Sequence, residues 1–314
     1  MDAKNPVIAV IGAGAVGAYY GGRLAQHGHD VHFLLRSDYK HVAKNGWKIQ
    51  SCHGDFNLPP GTMHVYDKPE RMPKADWVIV TLKATANDQL ESLIAPLLKE
   101  NTQILTMQNG LGNEDRLAEL FGPQRILGGL AFVCIHRVEP GVIHHMDHGY
   151  LRVGEFVEGG LEKAQTITEM FRKSKVECDV LDSLKKGRWA KLVWNIPFSG
   201  LGGALDLATD DLMCSAEGED LVRAIMKEVI AGARGCGVEL AGDVIDQRMA
   251  ETRSMGSYKS SMQLDRQQGR PMEVKAILGE PVRAAAMAGV AMPLVAELYR
   301  LAQVVNLAKC KDRR

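Results

Sequence analysis

The first half of the chain alternates short apolar runs with longer stretches of helical spacing. Residues 7–11 form a β-branched apolar run that stops at Gly12, and residues 15–26 then repeat apolar positions with a helical period up to Gly28. Residues 30–35, 77–82 and 103–107 predict further strands. Residues 126–135, 142–145 and 150–153 predict three more, separated by turns at Pro140-Gly141 and Gly149. Strands interleaved with helices predict βαβ units, and hence a mostly parallel, doubly wound α/β sheet of Rossmann type.

Past Leu184 the strand signal fades. Residues 185–198, 216–234, 241–253, 272–288 and 294–308 are rich in Ala, Leu, Met and charge and predict helices, with Gly235 and Gly289 where C-caps would fall. No Phe or Trp follows Phe198, whereas 8 of the 14 methionines do, which suits a helical core filled by flexible side chains. The chain therefore divides into an α/β domain, 1–184, and an all-α domain, 185–314, as its 314 residues suggest at roughly 150 per domain. No internal repeat or low-complexity segment interrupts it.

Composition narrows the function without naming it. Lys+Arg and Asp+Glu both number 38, which argues against a nucleic-acid binder. No run reaches the ~18 apolar residues of a membrane span, and residues 1–6 lack the shape of a signal peptide. A cytoplasmic protein is expected. The six cysteines include no CxxC pair and read as reduced thiols. His144, His145, Asp147 and His148 suggest a metal cluster, but on a strand they split between two faces, so no metal is predicted.

Gly12-Ala13-Gly14-Ala15-Val16-Gly17 is a GxGxxG motif in the context that gives it meaning, after a strand and at the opening of a helix. Gly12 permits a tight turn, Gly14 lets backbone approach a pyrophosphate, and Gly17 lets the helix pack on the sheet. The second strand ends in Arg36-Ser37 without the acidic residue that would bind a ribose 2′-hydroxyl. A guanidinium there can grip a 2′-phosphate, so NADPH/NADP is the predicted cofactor, with Asp38 as a competitor for Arg36.

These residues resemble the ketopantoate reductase (2-dehydropantoate 2-reductase) family over nearly the whole chain. The resemblance runs from the Gly12 turn and Gly28-His29-Asp30-Val31 through Thr81-Leu82-Lys83-Ala84 and Gln108-Asn109-Gly110-Leu111-Gly112. It continues in Trp189-Ala190-Lys191-Leu192-Val193-Trp194-Asn195, Ser260-Ser261-Met262, Glu273, Gly279 and Gly289-Val290-Ala291-Met292-Pro293. It implies a Rossmann domain followed by a helical one with a site in the cleft between them. The implied reaction is hydride transfer from NADPH to a 2-oxo acid, after ordered cofactor binding and domain closure.

By the same resemblance Lys191 is the general acid, and Glu273 positions it and bonds the distal hydroxyl of the substrate. Asn109, Asn195, Ser199 and Ser261 hold substrate, while Lys83, Asn109 and Glu273 also border the cofactor. The residues add support of their own. Lys191 and Asn195 are four apart, on one helix face. The apolar residues around Lys191 predict burial, which demands a partner or a lowered pKa.

Three positions depart from the family pattern. Ser199-Gly200 stands where many members carry a second asparagine and a proline, and Pro197 lies just before. Pro281 should kink the helix carrying Glu273. Arg270-Pro271-Met272 replaces a more polar lead-in. Two alternatives stay open: a related reductase acting on another 2-oxo or 3-oxo acid, and a catalytically silent NADPH-binding regulator. The helical half could pair into a homodimer, although no stripe marks the interface.

Overall fold

The computed structural model describes residues 5–311, with side chains to residue 308. The chain gathers into two compact units. One runs to Gln108 and resumes over Asn113–Leu184; the other comprises Asn109–Gly112 and everything from Lys185 on.

The first unit is built on one sheet. Its strands are β1 (Val7–Ile11), β2 (Asp30–Leu34), β3 (Trp47–Ser51), β4 (Phe56–Leu58), β5 (His64–Tyr66), β6 (Ala75–Val80), β7 (Leu98–Thr106), β8 (Ile126–Glu139), β9 (Val142–Glu155) and β10 (Cys178–Val180). The order is β4-β3-β9-β8-β7-β6-β1-β2-β5, and β10 pairs with β9 off that path. Only β8–β9 and β3–β4 are antiparallel. Helices α1 (Ala15–Gln26), α2 (Tyr39–Asn45), α3 (Leu90–Ile94), α4 (Asn113–Phe121) and α5 (Glu162–Lys173) complete the unit.

Strand β1 shows why its sequence is apolar without a break. Ile8 and Val10 pack into one cluster with Tyr19, Tyr20 and Leu24 of α1. Ala9 and Ile11 pack into another with Leu90, Ile94 and Leu117. Both faces of the strand are covered, so no polar position survives in it.

Residues 142–145 and 150–153 are one strand, not two. The ladder to β8 slips near Phe132–Val133, and His148 (φ 58) and Gly149 (φ 118) carry the strand through the bulge. What reads as a turn glycine is a bulge glycine. Strands β3, β4, β5 and β10 and helices α2–α5 have no counterpart among the predicted elements. Most are too short, three to five residues for several of them, to show a period.

The second unit is helical: α6 (Leu184–Trp194), α7 (Gly200–Leu205), α8 (Thr209–Met213), α9 (Ala216–Gly235), α10 (Val244–Met255), α11 (Ser261–Gln267), α12 (Glu280–Met287) and α13 (Pro293–Lys311). Its core joins Trp189, Leu192, Val193 and Ile196 to Met226, Met249, Met262, Met272 and Met292. The flexible methionines pack between these side chains and Phe198.

Two predicted helices are interrupted by π turns. Residues 185–198 become α6 followed by a π turn at Asn195–Ser199, and 272–288 become a π turn at Lys275–Gly279 followed by α12. Pro197 lies inside the first, and Pro281 stands in the opening turn of α12 just after the second. Each proline lacks the N–H that the carbonyl four residues earlier would receive, and a widened turn absorbs the defect. Gly235 is the last residue of α9; the positive φ that ends this segment belongs to Gly237 (φ 78), while Gly289 (φ 75) follows α12 as expected. Among the described residues no helix is long and apolar enough to cross a membrane.

Candidate active site

The glycine turn lies at the carboxyl end of β1, where the strand order reverses between β1 and β6. Ligands of open α/β sheets bind outside such a point. Gly12 has φ 87, and a Cβ on it would lie 2.8 Å from the backbone N of Leu82. A Cβ on Gly17 would lie 2.4 Å from Thr81 Oγ1, which itself donates to the Gly12 carbonyl at 2.9 Å. By contrast, a Cβ on Gly14 would meet nothing closer than 3.9 Å, so the space over that backbone is open.

The first turn of α1, with Ala15, Val16 and Gly17, holds no acidic residue, and Gly14 offers no side-chain cap. Its unused N–H groups and the helix dipole suit an anion. The turn therefore fits the pyrophosphate of a dinucleotide, with Ala13 buried beneath it. Arg36 is exposed just beyond β2. Its expected competitor is occupied elsewhere: both Asp38 oxygens accept from Arg137 Nη1 at 2.6 Å. Lys83 is exposed after β6 and opens the 3-10 segment Ala84–Gln89.

Near the ends of β6 and β7 lies a polar relay that sequence reading did not find. Thr106 Oγ1 donates to Gln108 Oε1 at 3.0 Å, and Gln108 Nε2 donates to Asn87 Oδ1 at 2.7 Å. Asn87 Nδ2 in turn donates to Asn113 Oδ1 at 2.9 Å. Amides separated by dozens of residues carry no local signal of their pairing.

In the helical unit, Lys191 sits on α6 among the fully enclosed Trp189, Leu192 and Val193. Its ammonium donates to Asn109 Oδ1 at 3.0 Å. Burial, and secondarily the positive charge of Arg188, push its pKa down to about 7, while Glu273 pulls the other way. Arg188 and Glu273 are themselves buried. In the sequence Arg188 is one of the basic residues just before Lys191, with Lys185 and Lys186, and nothing there assigns it a role. Its position one helical turn before Lys191 was the available clue, and only its burial gives the clue weight.

Asn109 is held by a close backbone approach. Leu111 N donates to the Ala276 carbonyl at 2.9 Å, and Gly110 (φ 89) leaves no room for a Cβ, which would lie 2.2 Å from that same oxygen. Ala276 belongs to the second π turn, directly after the stretch that carries Glu273. The two π turns pack on each other, and α11 packs on the first. Asn195 and Ser199 bound the first π turn and are both buried. Ser261 is the first residue of α11; its neighbour Ser260 is the cap, accepting from Gln263 N at 3.3 Å. The arrangement brings Lys191, Asn109 and Glu273 together and sets Asn195, Ser199 and Ser261 on elements packed around the first π turn.

Chemically, this is a half-buried proton donor of near-neutral pKa that is bonded to an amide and feels the charge of a carboxylate, in a chain that also carries a dinucleotide turn. Known proteins match both parts of the chain. Residues 8–158 match the family model for ketopantoate reductase PanE/ApbA, and residues 183–306 match its C-terminal model. A 2-dehydropantoate 2-reductase of Nostoc sp. is 40% identical over 296 residues, 93% of this chain and 92% of that protein. The crystal structure of 2-dehydropantoate 2-reductase from Geobacter metallireducens is 47% identical, with a TM-score of 0.92 over 94% of this chain and 98% of that one. D-mandelate dehydrogenase, in a ternary structure with NADH and anilino(oxo)acetate, shares the fold at 22% identity and a TM-score of 0.88, over 96% of this chain and 99% of that one.

Proposed function

We propose that this chain, which belongs to the ketopantoate reductase family, reduces 2-dehydropantoate to pantoate with NADPH, a step of pantothenate biosynthesis. The observation that carries the reading is Lys191, half-buried under the influence of Glu273, bonded to Asn109, and tuned to about 7. A general acid works best when its pKa lies near the operating pH. A lysine at the ordinary value of 10.5 would part with its proton far less readily.

The cofactor is assigned to Gly12, Ala13, Gly14, Ala15, Val16 and Gly17 for its pyrophosphate and to Arg36 for its 2′-phosphate, with Lys83, Asn109 and Glu273 beside the nicotinamide. When bound, the reduced nicotinamide supplies the hydride. As negative charge develops on the ketone oxygen, Lys191 Nζ donates its proton there and is left as a neutral amine. Burial makes that neutral state accessible. Asn109 fixes the ammonium, and the Glu273 carboxylate favours its charged form before the transfer. Asn195 and Ser199 present an amide and a hydroxyl from the π turn to the polar parts of the substrate. Ser261 is assigned to the carboxylate and Glu273 to the distal hydroxyl, following the family resemblance.

A second reading, another 2-oxo acid as substrate, is favoured by Ser199, whose short side chain replaces the longer amide of many relatives. The direct test of the mechanism is Lys191→Ala. Its kcat with 2-dehydropantoate should fall by ~10²-fold or more. Near-normal turnover would remove Lys191 from the chemistry.

A further inference from the structure

We propose that Cys52, His53 and His145 form a binding site for a zinc-like divalent ion that clips the end of β3 to β9. Strands β3 and β9 run parallel with Ser51 opposite His145, and Cys52 N donates to the His145 carbonyl at 3.1 Å. The sequence offers His145 and Asp147 on one face of β9 and no third donor; the neighbouring strand supplies it. One ligand atom from each of Cys52, His53 and His145 lies within 4.8 Å of the others.

The buried His145 is oriented as a metal ligand should be. Its Nε2 lies 3.1 Å from the Asp147 carbonyl and 3.0 Å from the His148 carbonyl. Carbonyls only accept, so Nε2 carries the proton and Nδ1 keeps its lone pair. A ligating histidine characteristically donates its second N–H to a backbone carbonyl in this way. Nδ1 lies 2.9 Å from Ser51 Oγ and 3.9 Å from Cys52 Sγ. Two ligands on tetrahedral zinc, at ~2.0 and ~2.3 Å from the ion, stand about 3.5 Å apart. Cys52 Sγ also lies 3.8 Å from Nε2, so ligation requires the exposed Cys52 side chain to swing toward Nδ1 and the ion to displace the Ser51 hydroxyl.

His53 meets the His145 ring at 87°, with centroids 5.1 Å apart, so the two rings lie in crossing planes. The other donor cluster, Asp30, His32 and His64, lacks that property. Its two imidazoles stack at 13°, and their in-plane lone pairs run in parallel planes that do not meet at one ion. Arg23, which donates to the His53 and Gly54 carbonyls and to Ser51 Oγ at 3.4 Å, opposes a cation at the Cys52 site. The thiolate and the nearby Asp147 carboxylate, close enough for its charge to act on Cys52, offset that field. Binding exchanges the thiol S–H bond for a sulfur–metal bond and releases the proton to solvent. A thiolate beside two imidazoles selects zinc over calcium or magnesium.

The test is titration of the full-length protein with Co2+, followed by displacement with Zn2+. A thiolate-to-cobalt charge-transfer absorption should appear, and Zn2+ should abolish it. Cys52→Ser should lose the absorption, and Cys214→Ser, at another exposed cysteine, should keep it. Ser51→Ala frees Nδ1 from its hydroxyl partner and should tighten binding. His53→Ala should weaken it by at least about tenfold. Zn2+ should also raise the Tm of the wild type and not that of Cys52→Ser. Absence of the absorption in wild type, or its persistence in Cys52→Ser, would overturn the site. If Cys52→Ser does not fold, unchanged affinity in both Ser51→Ala and His53→Ala overturns it equally.

Discussion

Lys191 illustrates how far a single residue can be read before folding is known. The apolar setting was legible because Trp189, Leu192, Val193 and Trp194 surround it in sequence; the structure buries Trp189, Leu192 and Val193 fully and Lys191 by part. Its partner Asn109 lies 82 residues away; its place just past a Rossmann strand and the family resemblance set it at the site, but neither paired it with Lys191. The tuning effect of Arg188 was not legible, because nothing in a run of basic residues says which of them is buried. The lowered pKa has a signed consequence. Reduction needs the protonated amine, so kcat/KM for reduction should fall as pH rises through about 7, and the reverse oxidation should rise. A pH–rate profile checks this, and Lys191→Ala should lack the transition. Arg36 carries a second expectation at this scale. Asp38 is bound by Arg137 from 99 residues along the chain and so does not compete for Arg36. Arg36→Ala should raise KM for NADPH markedly and leave KM for NADH almost unchanged in steady-state assays. An unchanged KM for NADPH would refute the contact.

At the scale of elements, the two proline-linked π turns are what sequence periodicity missed. A kink at Pro281 was expected; a π turn before it was not, since a missing N–H does not specify how the backbone makes up the loss. Both turns border assigned site residues, and the second also receives the Asn109 loop. Gly110 is where that approach is tightest. Gly110→Ala should therefore destabilise the protein clearly more than Gly28→Ala. Both have positive φ, but a Cβ on Gly28 meets nothing within 4 Å, so that change costs only the ~1–3 kcal/mol of backbone strain. Chemical denaturation of the two variants decides it; equal losses would mean that the Ala276 contact is not restrictive. The bulge at His148-Gly149 teaches the same lesson. A glycine between two apolar runs marks a turn or a bulge equally well, and the partner strand decides which.

For the whole molecule, the change from strand to helix near residue 184 follows from composition and period, which report burial on two faces or on one stripe. The long β8–β9 pair and the outer strands β3–β5 depend on partners distant in sequence and were read only in part. The same gap concealed the donors that β3 brings to His145. The chain as a whole is expected to reduce 2-dehydropantoate with NADPH. The most direct measurement is the initial rate of NADPH oxidation with 2-dehydropantoate, set beside 2-oxo acids that lack the distal hydroxyl and beside NADH as donor. The highest kcat/KM is expected for 2-dehydropantoate with NADPH. An equal or higher value for a simpler 2-oxo acid, or a preference for NADH, would contradict it.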